Sequence, residues 1–132
     1  MVVMETAPRP QILVIETETL LPRVIRRALT ETHDVHIAHS AQEARLVYEQ
    51  KRPDIVLSGV QLVDQNGLEL AAELYEKDPT VQIMIMSGGL LGKENQMMDL
   101  LRKGVVQAFL PKPFTREELY NCIDGKLTYL PK

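Results

Sequence analysis

Residues 53–59 read Pro53-Asp54-Ile55-Val56-Leu57-Ser58-Gly59: a proline and an acid, three adjacent aliphatic side chains, then two small residues. Three consecutive aliphatics put apolar groups on both faces of an extended chain, as in a strand covered on both sides of a parallel sheet. Working outward, the same pattern recurs in Ile12-Leu13-Val14-Ile15, in Ile83-Met84-Ile85-Met86 and from Val105 to Leu110. Val35-His36-Ile37-Ala38 alternates instead, which suits a half-covered edge strand. Helical spacing fills the intervals. Leu20, Leu21, Val24, Ile25, Ala28 and Leu29 form one stripe, with Pro22 in or near the first turn, where its missing N–H costs little. Ala41, Ala44, Val47 and Tyr48 form the next, then Leu68, Ala71, Ala72 and Tyr75, then Met97, Leu100 and Leu101, then Leu119, Ile123 and Leu127. Strand and helix alternate five times. Short connections and right-handed crossovers then predict an α/β domain with a doubly wound, five-stranded parallel sheet of flavodoxin-like (βα)5 type, helices on both faces.

Local chemistry marks the boundaries. Ser40 with Glu43 and Thr115 with Glu118 fit the capping box, and Asn66 with Glu69 fits it more loosely. Asp78-Pro79 closes the third helix and Gly104 the fourth. Residues 1–10 read as a frayed tail, 11–128 as the domain, and 129–132 as a C-terminal tail or the start of a linker.

The chain has 132 residues, 45% hydrophobic and 25% charged, with formal net charge −3. That is the composition of an ordinary globular domain able to fold without metal or disulfide. One cysteine, Cys122, excludes a disulfide framework and a multi-cysteine zinc site, and reads as a small buried hydrophobe. Apolar runs are too short to cross a membrane, and Met1–Pro10 lacks the build of a signal peptide, so a cytoplasmic location is expected. An acidic balance argues against nucleic acid as a partner.

In an open doubly wound sheet, ligands sit beyond the carboxyl ends of the strands. Those positions hold Glu16, Thr17 and Glu18 after the first strand; Ser58, Gly59, Val60 and Gln61 after the third; Ser87, Gly88 and Gly89 after the fourth; and Lys112 after the fifth. Together with Asn66-Gly67-Leu68-Glu69-Leu70 and Phe109-Leu110-Pro111-Lys112-Pro113-Phe114, this ordered set resembles the receiver domain of two-component response regulators over Gln11 to about Leu127. The resemblance implies phosphoryl transfer to an aspartate at the end of the third strand. It further implies an acidic pair after the first strand that holds Mg²⁺, a Ser or Thr at Ser87 that binds a phosphoryl oxygen, a Lys at Lys112 that neutralises charge, and an aromatic switch at Phe109.

Here that set is broken. The register puts Gly59 at the acceptor position, and glycine offers nothing to phosphorylate. The acidic pair falls on Glu16 and Thr17, leaving at most weak Mg²⁺ binding at Glu16, helped by Glu18. Gln61 stands where the family offers only a backbone carbonyl. The expectation is a receiver fold without receiver chemistry: not an enzyme, no cofactor, and a phosphorylation-independent pseudo-receiver acting through protein–protein interaction in bacterial signalling. The alternatives are phosphorylation of another acid such as Asp64, and an anion or small-ligand sensor at Ser87 and Lys112.

Other features have plainer readings. Lys112 calls for an ion pair with Glu16 or Glu18 ahead of an external anion. Phe109 reads as filler fixed in one rotamer. Gly88-Gly89-Leu90-Leu91-Gly92-Lys93 misses the spacing of a phosphate loop and reads as a connection. His33, His36 and His39 read as surface histidines. Met84, Met86, Met97 and Met98 concentrate around the fourth strand and helix, where core packing accounts for most of them. Arg23, Arg26 and Arg27 read either as a solvated face or as a docking site for an acidic partner. The family resemblance places histidine kinases and phosphotransfer proteins on that face. It places homodimer pairing on the fourth helix, fifth strand and fifth helix, with Leu90, Leu91 and Met98 as candidates, and an output domain as a further partner.

Overall fold

The computed structural model describes residues 9–90 and 92–125. Five strands, β1 (Gln11–Ile15), β2 (Asp34–Ala38), β3 (Ile55–Gly59), β4 (Gln82–Ser87) and β5 (Ala108–Pro111), alternate with α1 (Leu20–Leu29), α2 (Ala41–Lys51), α3 (Gly67–Lys77), α4 (Glu94–Arg102) and α5 (Arg116–Ile123). All pairings are parallel, in the order β2-β1-β3-β4-β5. The chain steps from β1 outward to β2 and returns to β3 on the other side, so the switch point lies between the ends of β1 and β3. This is the predicted doubly wound sheet.

The two-residue period of the strands divides the core. Leu13, Ile15, Val56, Ile83, Ile85 and Phe109 pack beneath α2, α3 and α4. Ile12, Val14, Leu57, Met84, Met86 and Leu110 pack beneath α1 and α5 with Ile25, Leu29, Leu119 and Cys122. Full burial of each such side chain contributes about 1.5–3 kcal/mol, and it fixes the register because a one-residue slip would invert every face. Burial also pushes the Cys122 thiol up to about 11.

The helix starts differ in how they are closed. Thr115 and Glu118 complete a full capping box on α5. Ser40 Oγ accepts from Glu43 N at 3.0 Å on α2. Asn66 Oδ1 accepts from Leu68 N at 2.7 Å, one residue short of the box partner inferred from Glu69.

Several expectations need correction. Val105 and Val106 are buried but lie outside β5, because Gly104 (φ 75°) ends α4 and both following N–H groups turn back to Leu100 O. The histidines are half-buried and bonded: His33 to Thr32 Oγ1 at 2.7 Å, His36 to Gln11 Oε1 at 2.6 Å, His39 to Glu16 O at 2.9 Å. Leu90 is buried and cannot serve as an exposed pairing residue, Met98 is half-buried, and Leu91 and Leu127 lie outside the described residues. Arg9 pairs with Asp34 at 3.2 Å and Pro10 O accepts from Asp34 N at 2.9 Å. None of the described helices is long and apolar enough to cross a membrane.

Candidate functional site

The parallel register lines up the four strand ends. Ile15 pairs with Ser58, Gly59 with Met86, and Ser87 with Pro111. At these ends Glu16, Ser87 and Lys112 meet around a cavity of about 350 Å³, also lined by Val60, Gln61, Met86, Gly88 and Gly89.

Glu16 is buried, and its Oε1 accepts a hydrogen bond from Lys112 Nζ at 2.5 Å. Its other oxygen lies over the α-carbon of Gly59: a β-carbon there would sit 2.1 Å from Oε2 and 3.2 Å from the carboxyl carbon. A neighbouring carboxylate thus occupies the space that a side chain at Gly59 would take. The opposite side is as tight. A β-carbon on Gly67 would fall 1.9 Å from Gly59 O, and Gly67 N donates to Val60 O at 2.5 Å. Ser58 Oγ, buried in the strand, donates to Gly59 O at 2.9 Å. The ion pair with Glu16 anticipated for Lys112 is thus present, and Glu18 is exposed.

Ser87 faces the cavity but turns to its own loop, accepting from Gly89 N at 2.9 Å and donating to Gly89 O. Gln61 is exposed at the rim and bridges to Asn66. Thr17 is exposed. Phe109 is buried in the core that also holds Met97 and Leu100, paired in the sheet with Ile85. Asp64 is not brought to the cavity: its carboxylate accepts from Ala41 N at 2.8 Å and Gln42 N at 2.9 Å. These two backbone bonds hold its carboxyl below the usual range and satisfy two open donors of α2. Asp64 lies in the loop after β3, and nothing in its local sequence marks this cap.

The donor set does not fit Mg²⁺. A hard dication wants carboxylate and carbonyl oxygens. Among the described residues the one buried carboxylate, Glu16, is committed to an ammonium, and position 59 supplies no oxygen from a side chain. Among the described residues no cluster of three or more acidic, His or Cys side chains could hold a metal.

A second, larger groove of about 1260 Å³ runs between α1 and the start of α5. Leu20 and Val24 stand in it 70% and 55% exposed, flanked by Arg23, Arg27 and Arg116. Arg26 Nη2 donates to Val35 O at 3.1 Å and is partly tied down. Lys112 lines this groove as well as the small cavity.

The response regulator receiver domain family matches residues 12–124. This chain belongs to that family. Receiver relatives include the chemotaxis protein CheY of Listeria monocytogenes, 24% identical over 115 residues, covering 85% of this chain and 94% of that protein. The transcriptional regulatory protein TrcR of Mycobacterium tuberculosis is 28% identical over 120 residues, covering 89% of this chain and 45% of that one. A CheY-like receiver domain protein from Methanospirillum hungatei superposes with a TM-score of 0.81 at 22% identity, covering 90% of this chain and 94% of that one. At that identity the superposition shows the fold alone.

Proposed function

We propose that this receiver is a phosphorylation-independent signalling module that works by docking protein partners. One observation carries the reading: at the strand end where the family places its acceptor, Gly59 has no side chain and Glu16 fills the space while pairing with Lys112. An acyl phosphate needs a carboxylate held in line with a donor and with cations on the transferring oxygens. The carboxylate present is turned onto the lysine and has no second acid beside it.

The groove between α1 and α5 supplies the docking face. Its exposed Leu20 and Val24 lie one helical turn apart, and its charges are mostly positive on a chain of net charge −3. An amphipathic helix with acidic flanks, from a histidine kinase or an output domain, fits that apolar stripe and those arginines. The face around α4 and β5 offers less free apolar surface, since Leu90 and Leu100 are buried. Asp64 lends no support to a displaced acceptor, because it already caps α2.

The reading is tested by amide NMR with Mg²⁺ before and after adding beryllofluoride, a phosphoryl mimic. Unmoved resonances at Ser87, Phe109 and Lys112 are expected. Saturable shifts there would contradict it.

A further inference from the structure

Glu16 does more than fill space. Two contacts converge on its carboxylate, Oε1 on the Lys112 ammonium and Oε2 over the bare α-carbon of Gly59, while its backbone carbonyl bonds His39 Nδ1. The rest of the cavity presents a serine hydroxyl bonded to Gly89 N and O, and open space at Gly88 and Gly89, where a β-carbon would meet nothing within 4 Å. Glu16 also leads directly into α1, and Lys112 leads into α5, so their contact joins the two walls of the large groove.

We infer that the Glu16 carboxylate is a resident ligand of the strand-end cavity: it takes the place of a bound oxyanion on Lys112 and clasps β1–α1 to β5–α5, fixing the groove where a partner docks. This deepens the docking reading and rests on it. A buried carboxylate repels a second anion strongly at this range, so with Glu16 in place the cavity is closed to phosphate. With Glu16 removed, Lys112 is left without its partner and the cavity takes an oxyanion from solution.

The test is an amide NMR titration of the full chain with inorganic phosphate, in the natural protein, Glu16→Ala and Glu16→Gln. The natural protein should show no saturable shifts. Glu16→Ala should bind phosphate at least about tenfold more tightly, with shifts at Ser87, Gly88, Gly89 and Lys112. Before any phosphate is added, its amides along Arg23–Thr30 and Phe114–Leu119 should already differ from the natural protein. Glu16→Gln keeps the volume and loses the charge, so it reports on the anion site even if the alanine variant folds poorly. Equal phosphate binding in all three proteins, or no binding in either variant, would overturn the inference. Groove amides unmoved in both variants would overturn the clasp. Inorganic phosphate cannot transfer a phosphoryl group, so these results stand apart from any mass gain with a phosphodonor, which would overturn the docking reading itself.

Discussion

Glu16 and Gly59 share one space: a β-carbon on Gly59 would lie 2.1 Å from Glu16 Oε2. The two residues therefore compensate each other, and neither can be changed as though the other were absent.

Gly59→Ala should destabilise the natural protein by about 1–3 kcal/mol, the usual cost of overpacking a filled site. The nearest atom belongs to the side chain of Glu16, so relief comes from moving that carboxylate, which disturbs its bond to Lys112. In a Glu16→Ala background the same change should cost clearly less. Urea denaturation of the four proteins in a double-mutant cycle measures the coupling.

Gly67→Ala should be worse, at about 3 kcal/mol or more, beyond the common range for overpacking because the nearest atoms are all backbone of Gly59 and Val60. The added carbon would fall 1.9 Å from Gly59 O, which no rotamer change relieves. A thermal melt within a degree or two of the natural protein would show that the β3–α3 connection yields more easily than its contacts imply.

Lys112→Met removes the partner of a buried carboxylate. Breaking such a pair costs about 3–5 kcal/mol. The lower end is expected here, because the lysine side chain retains 25% exposure. Lys112→Met combined with Glu16→Gln should recover part of that loss, read from denaturation midpoints.

Stability should fall with acid in two stages. Burial lowers the His33 and His36 values below 6.5, so the folded protein binds fewer protons and loses stability as pH falls below 6.5. Hydrogen bonds from Arg45 lower Glu73 below 4.5, and hydrogen bonds from Thr80 lower Asp78 below 3.8. Their contribution is present above those values and is lost as pH falls through the lower folded ones. Arg45→Met should flatten the second stage only, seen in urea midpoints from pH 7 down to pH 3.

Arg23→Glu with Arg27→Glu should leave stability within about 0.5 kcal/mol, as exposed surface changes do. Both side chains are exposed. Binding of an acidic helical partner should weaken sharply, and the salt dependence of the natural complex should fade with it. Equal affinity for both proteins, measured by calorimetry, would remove the α1 groove as the docking face.

The sheet was legible because its signals are local. Short apolar bursts such as residues 12–15, 55–57 and 83–86 have few other readings, and the strand ends then follow from topology. The fifth strand was read too long because Val105 and Val106 are as apolar as the strand, and only the positive φ of Gly104 shows the chain still turning there. In the site, Gly59 and the Glu16–Lys112 pair could be anticipated from position. The carboxylate lying on the glycine could not, although an acid opposite a glycine at neighbouring strand ends is the signal that would have raised it. The role of Asp64 was illegible for a related reason: its partners are the N–H groups of Ala41 and Gln42, more than twenty residues earlier, and such a cap leaves no local trace.

The central claim, that no acid on this chain does the work of a phosphoacceptor, is tested most directly by intact mass after incubation with acetyl phosphate and Mg²⁺. The account predicts an unchanged mass at every time point. A stoichiometric gain of one phosphoryl group, lost again on treatment with hydroxylamine, would contradict it.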